Sequence, residues 1–395
     1  MSDVQPATAF VANVGAEESE GGALPPAARN VARLFALLFP AAAREIPIGA
    51  QTSAVAGWPR ALGAPAPGAA FDWLEDSPAH AWLVTGKARD SLTDAGCPLA
   101  SPTPEAVRRV HDKAFTRRQA ALHRLEPACL QGLSAVLEPE ELLDADALIA
   151  SLRARLEAWP AWTEGRFALK PRISTSGRGR VAGDRAELDA PSLRNALPRL
   201  ARRGGAVLEP WLTREQDFSA QFFVAPDGSI RLVSSFEQWV GRSGVYRGHL
   251  GTFDARTRIT SGSRYEAALL ESGMLLANAA HAEGFHGPCG VDAFSFQGPQ
   301  GLEFHSCVEF NARFTMGTLA AGLLRRALPN LDEPFRPRPG EPRSFYFGLD
   351  APRRGWPESD GERFRFVPLW ISDGSPRPAL LFAEDGAQLR AWLGD

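Results

Sequence analysis

Asp292 lies in the segment GVDAF, and Glu309 and Asn311 lie in EFNAR, roughly one hairpin length later. Side chains two residues apart on a strand point to the same face, so Glu309 and Asn311 project together. An antiparallel partner strand would bring Asp292 to face them. Two carboxylates and an amide oxygen form a hard, all-oxygen set suited to Mg²⁺, which takes few protein ligands beside nucleotide phosphates. Mn²⁺ would accept the same donors. Arg313, two residues further on that face, would set a guanidinium beside a transferring phosphoryl group or a carboxylate being activated. A strand with a solvated polar edge, its Val308, Phe310 and Phe314 turned inward, satisfies the same pattern.

The cations are unevenly chosen. Only three of the 43 basic residues are lysines (Lys87, Lys113 and Lys170), against 40 arginines, in a chain rich in Ala, Gly and Pro. A lysine that persists in such a background can mark a place where a compact ammonium on a slim stem is needed; chance retention is the plain alternative. Lys170 ends the apolar run FALKP, and STSGRGRVAG follows at residues 174–183. Small residues there, Ser176, Gly177 and Gly179 among them, can bring backbone N–H groups onto phosphate oxygens. The loop is not a Walker A loop, since no GxxxxGK[ST] is present. LEPWL, holding Glu209, Trp211 and Leu212, reads as an apolar strand able to line an adenine pocket, with Glu215 or Asp217 in reach of ribose hydroxyls. Taken singly, Glu209 reads as a surface carboxylate.

These residues need a scaffold, and the pattern outlines an α/β one. Residues 8–14 and 45–48 read as short strands around a helix at 25–39, followed by a strand at 80–85 and a helix at 88–95. A Pro-rich boundary at 98–104 introduces a single helix over 105–123. A second amphipathic helix covers 142–159, and a third 191–203. Two strands flank the Asp227-Gly228 turn, a long helix spans 264–283, and a hairpin turns through 298–301. Residues 328–343, with five prolines, read as a linker before two strands and a closing helix. There is no internal repeat.

Composition limits the partners. A net charge of −3 and a pI near 6.2, with arginines spread along the whole chain, exclude a polyanion footprint, so nucleic acid is not an expected partner. The longest apolar stretch, residues 31–43, carries Arg33 and Pro40 and is too short for a bilayer. The N-terminus lacks the pattern of a secretory signal. Four scattered cysteines without a CxxC pair suit reduced thiols in a cytoplasm.

In this order the pieces resemble the ATP-grasp superfamily from about residue 112 to 317. HDKAF resembles the segment of the family's first nucleotide-contacting lysine, giving Lys113. FALKP with SGRGR resembles the second lysine and the loop that covers the phosphates, and LEPWLTREQDFS the adenine-hinge strand and ribose acid. GVDAF with EFNAR resembles the metal signature of biotin carboxylase, and D-alanine–D-alanine ligases share its Asp, Glu and Asn ligands. The resemblance implies an α/β (α+β) ATP-grasp fold: a Rossmann-like domain at 1–104, an ATP-grasp domain at 105–330 divided near 205, and a linker with a C-terminal α/β extension at 331–395. It implies ATP and Mg²⁺ as cofactors, phosphoryl transfer to a carboxylate, and attack on the acyl phosphate by an amine. Arg242, Arg247 and His249 fall where family members often bind substrate, and can hold its carboxylate. Kinase-like transfer to a hydroxyl and a nucleotide-binding module without turnover are the rival readings. The identities of the acid and amine, and the oligomeric state, a homodimer included, stay open.

Overall fold

The computed structural model describes residues 8–17, 26–50, 59–63, 68–99, 102–174, 177–241, 245–351, 355–357, 363–369 and 378–394. Ser176 and Arg242 lie outside the described residues. Among the described residues the strands form three sheets. The first contains β1 (Ala9–Val11), β2 (Arg44–Glu45) and β3 (Ala79–Ala81), all parallel in the order β2-β1-β3. Parallel neighbours need long crossovers, and α1 (Pro26–Ala36) lies in the connection from β1 to β2. Helix α2 (Gly86–Asp94) follows β3, its first turn capped by the Thr85 hydroxyl, which accepts from the Ala88 N–H.

The expected helix over 105–123 is two helices, α3 (Pro104–His111) and α4 (Lys113–His123). Asp112 between them is extended (ψ 127°), and its carboxylate caps α4 by accepting from the Ala114 N–H at 2.8 Å. The break makes Lys113 the first residue of a helix rather than one position on a continuous face.

The second sheet contains β4 (Ala135–Leu137), β5 (Phe167–Pro171), β6 (Val181–Gly183) and β7 (Ala206–Pro210), antiparallel in the order β4-β7-β5-β6. Helices α5 (Ala145–Ala158) and α6 (Pro191–Arg202) supply the leucines of its core, among them Leu148, Leu152, Leu193, Leu197 and Leu200.

The third sheet begins with β8 (Arg214–Val224), β9 (Ile230–Val240), β10 (Tyr246–Phe253) and the short β11 (Ile259–Thr260). After α7 (Glu266–Ala282) come β12 (Gly287–Gly298), β13 (Gly301–Asn311) and α8 (Met316–Ala327). It ends with β14 (Arg343–Gly348), β15 (Arg365–Pro368), β16 (Ala379–Ala383) and α9 (Gly386–Leu393). The order is β13-β12-β8-β9-β10-β14-β16-β15, with β11 on β10. Directly after the proline-rich segment comes β14, a strand beyond the two expected there, which pairs with both β10 and β16. Every residue of β14 is buried, so it shows none of the alternation that marks a half-exposed strand. The C-terminal strands extend the large sheet itself. No helix among the described residues is long and apolar enough to cross a membrane.

The first and third sheets share one core. Phe35 of α1 is wholly buried, with ring centroids 5.8 Å from Phe10, 5.5 Å from Trp82 and 4.7 Å from Phe314. Phe314 also donates its backbone N–H to the Trp82 carbonyl at 3.1 Å, so the N-terminal unit grips the chain just beyond Asn311. Phe35→Ala should cost about 3–5 kcal/mol, read from urea unfolding; a loss under about 1 kcal/mol would contradict a shared core.

Candidate functional site

Asp292 on β12 pairs directly with Glu309 on β13, and Gly290 pairs with Asn311. All three polar side chains share one face of the sheet, as the period of two requires. Asn311 Nδ2 donates to Asp292 Oδ2 at 2.9 Å, and Gln238 Nε2, from β9, donates to Asp292 Oδ1 at 2.7 Å. Burial, and then the charge of Glu309, push the Asp292 carboxyl up to about 6. No group of three or more His, Cys, Asp or Glu side chains suited to a metal occurs among the described residues. The set here is two carboxylates and an amide. Two carboxylate groups and an amide oxygen gathered on one face are a hard donor set that fits a divalent cation.

Lys113 reaches this face from the start of α4. Its ammonium lies 2.9 Å from Glu309 Oε1 and donates to Ser174 Oγ at 3.0 Å. Thr116 Oγ1, one turn on, accepts from the Phe310 N–H at 3.0 Å, which ties α4 to β13. The base of the glycine loop is clamped to the same helix start. Arg172 grips Asp112 with Nε (3.1 and 3.0 Å) and Nη2 (2.7 Å), while its carbonyl accepts from the Lys113 N–H at 3.0 Å. One side chain thus caps α4 and holds the loop's entry. Beyond it, Gly177 and Gly179 have φ of +69° and +76°, a backbone region that favours glycine. A Cβ on Gly179 would also come within 2.6 Å of Arg203 Nη1.

Lys170, on β5, forms an ion pair with Glu209 on the adjacent β7. Glu209 is buried, which corrects its single-residue reading as a surface carboxylate. Arg117 Nη2 lies 3.2 Å from Glu209 Oε2, and the same guanidinium pairs with Glu126 and comes within 3.4 Å of His305 Nε2. Burial alone would push the Glu209 carboxyl up, but Lys170 and Arg117 outweigh it and bring it down to about 2. Burial and the neighbouring Arg117 hold His305 neutral.

The hinge residues have apolar company. Leu212 packs against Leu130, Phe294, Phe296 and Val308, and the Arg180 guanidinium lies 4.3 Å from the Trp211 ring centroid. That shelf beside paired cations fits a flat base joined to phosphates. Asp217 is ion-paired to Arg214 at 2.6 Å, whereas Glu215 is exposed and sits where the β8–β12 register slips. Arg313 Nη2 lies 3.4 Å from Asn311 Oδ1, and Nη1 donates to the Phe314 carbonyl at 2.8 Å.

The substrate candidates fare differently. Arg247 is exposed at the start of β10. His249 is buried, stacked on Phe236 at 4.7 Å and meeting Tyr246 edge-on at 5.0 Å. Burial brings its pKa down to about 3, so the imidazole is neutral near pH 7 and supplies no charge for a carboxylate. Residues 236–240 and 246–249 are the facing ends of β9 and β10. Sequence reasoning missed Arg117, Ser174 and Gln238. Arg117 stands four residues from Lys113 on one helical face, a signal hidden among 40 arginines. Of the three lysines, the two at the site are largely enclosed, and Lys87 is exposed.

The chain has the ATP-grasp fold, preceded by a small parallel α/β sheet. It is similar in structure to a biotin carboxylase of Campylobacter jejuni in a β,γ-ATP complex: TM-score 0.52, 13% identity, 96% of this chain and 87% of that one. An Aspergillus clavatus N5-carboxyaminoimidazole synthase bound to ADP and an aminoimidazole ribonucleotide gives 0.50 and 12% identity over 97% and 95% of the two chains. The biotin carboxylase domain dimer of a Hydrogenobacter thermophilus 2-oxoglutarate carboxylase, with MgADP and bicarbonate, gives 0.50 and 13% over 95% and 85%. No protein-family model and no curated protein matches the sequence.

The buried network has a measurable cost. Glu209→Gln leaves Lys170 and Arg117 without their counter-charge and should destabilise the fold by about 3 kcal/mol at pH 7. The folded pKa of Glu209 lies below its usual 4.5, so its contribution is present above that value and is lost as pH falls toward 2. Urea unfolding should show an unchanged gap between wild type and variant at pH 7 and 5 that narrows by pH 3.5. A gap independent of pH would contradict the pairing.

Proposed function

We propose that this protein is an ATP-dependent carboxylate–amine ligase. The carrying observation is the face that sets Asp292 opposite Glu309, with Asn311 and Arg313 beside them and the Lys113 ammonium on Glu309. The ATP-grasp fold supports the reading, as do similar structures whose complexes contain ADP or a β,γ-ATP ligand.

In this reading the γ-phosphorus of ATP bonds to a substrate carboxylate oxygen as its bond to the ADP oxygen breaks. An amine then attacks the acyl carbon, the C–O bond to phosphate breaks, and the amine loses a proton. Lys113 and Lys170 neutralise phosphate charge. Trp211, Leu212 and the Glu209 backbone flank the base, and Asp217, freed from Arg214, takes the ribose. The loop holding Ser176, Gly177 and Gly179 covers the phosphates and excludes water, because acyl phosphates hydrolyse readily. Asp292, Glu309 and Asn311 would hold Mg²⁺, or Mn²⁺, which supplies positive charge against the phosphates. Arg313 steadies the charge that develops on the acyl group. Arg247 and Arg242 are the cations proposed for the rest of the acid, with His249 as a neutral wall of that pocket. The divisions at 104/105 and 330/331 are proposed on the same grounds. The described cysteines are all free, which favours the cytoplasm.

Hydroxylamine trapping tests the reaction. Wild type should form a hydroxamate only with ATP, Mg²⁺ and an accepted carboxylate, sought among acetate, other small carboxylic acids and the amino acids. ADP without hydroxamate would point to a hydroxyl acceptor, and no ADP to a binding module. Glu309→Gln should lose ADP formation while staying folded, with a lowered unfolding midpoint because Lys113 loses its counter-charge; a variant with normal turnover would sink the metal assignment.

A further inference from the structure

Glu17 lies in the turn after β1, almost 300 residues before the catalytic strand, and its side chain is fully enclosed. Its Oε1 stands 2.6 Å from Arg313 Nε. His111 Nε2 is 3.8 Å from the same oxygen. Burial, and then the charge of Arg313, bring the His111 pKa down to about 3. The His111 Nδ1 accepts from the Ala312 N–H at 3.2 Å, so the ring is neutral with its proton on Nε2. The negative charge of Glu17 is therefore matched by Arg313, and the guanidinium is held on three sides. Glu17 forms an ion pair at Nε, the Phe314 carbonyl accepts from Nη1, and Asn311 Oδ1 meets Nη2. The Trp82 ring, also from the N-terminal unit, lies 5.7 Å from its carbon.

We propose that Glu17 is a positioning residue for Arg313, and that the N-terminal unit acts in the reaction through this contact; the role rests on the ligase reading above. An arginine side chain has many rotamers, and the Glu17 carboxylate paired at Nε restricts its freedom to swing away from Asn311. Nη2 is thereby directed at the face that carries Asp292 and Glu309. A displacement of the guanidinium by about 1 Å is enough to cost up to 10²-fold in rate. Charge balance alone would call only for a carboxylate somewhere near; the geometry fixes which nitrogen it takes and so where the other two point.

The test compares wild type, Glu17→Gln, Glu17→Asp, Arg313→Ala and the double variant Glu17→Gln/Arg313→Ala. Full-length protein is assayed for ADP release and hydroxamate with Mg-ATP, hydroxylamine and the carboxylates named above. Glu17→Gln should lower kcat about 10- to 100-fold with KM for ATP within about twofold, and Glu17→Asp should recover part of the loss. In the Arg313→Ala background, Glu17→Gln should cause no further loss, because the residue acts through the arginine. Should Glu17→Gln fail to fold, Glu17→Asp carries the same comparison. An active wild type with an equally active Glu17→Gln, or losses that multiply in the double variant, would overturn the role and leave the ligase reading intact. A wild type that binds Mg-ATP but turns over none of these carboxylates overturns the ligase reading and the role of Glu17 with it.

Discussion

Two ammonium groups and a guanidinium are buried at one end of a β-sheet, and each of them meets a carboxylate. Removing such a group from water costs several kcal/mol unless a partner and hydrogen bonds offset the loss. Lys113 has Glu309 and Ser174, Lys170 has Glu209, and Arg117 joins Glu209 to Glu126. Each pair bridges separate elements: α4 to β13, β5 to β7, α4 to β7. The second sheet and the large sheet are thus fastened by the same charges that the proposed reaction would use. A site of this kind trades stability for readiness, since anionic phosphates would compete for cations that now serve the fold.

Backbone geometry decides where those charges sit. Helix α4 begins at Lys113 because Asp112 leaves the helical region and caps it, and Arg172 fixes Asp112 from the far side of β5. The loop of small residues leaves directly from this clamp, so its entry is anchored to the helix that carries both Lys113 and Arg117. The loop's entry and the position of the first lysine are tied through one arginine–aspartate pair, which is close and bidentate as the stronger pairs are.

The parallel N-terminal sheet has a role beyond bulk. Phe35 and Trp82 pack on Phe314, the Trp82 carbonyl holds the Phe314 N–H, and Glu17 holds Arg313. These contacts converge on the two residues that follow Asn311. The end of β13 is therefore built by two distant parts of the chain, one supplying the strand and the other its backing.

Much of this was legible along the chain because it obeys local rules. The pair Asp292 and Glu309 follows from a period of two and a glycine turn at 298–301, and the structure pairs them directly. The Asp227-Gly228 hairpin and the long helix near 264–283 carry equally local signals, and both are present. The scarcity of lysine pointed to Lys113 and Lys170 through composition alone. Other features depend on contacts far apart in sequence. The break at Asp112 is held by Arg172, sixty residues on. Arg117 is one arginine among 40 until Glu209 and Glu126 close on it. Strand β14 is buried throughout and follows a proline-rich run, so neither periodicity nor punctuation announces it. His249 loses its expected charge because Phe236 and Tyr246 enclose it. Local pattern determined which residue types share a face; only the tertiary structure decided which of them are buried, which charges meet, and so which remain ionised, because desolvation and pairing depend on neighbours that the chain brings from elsewhere.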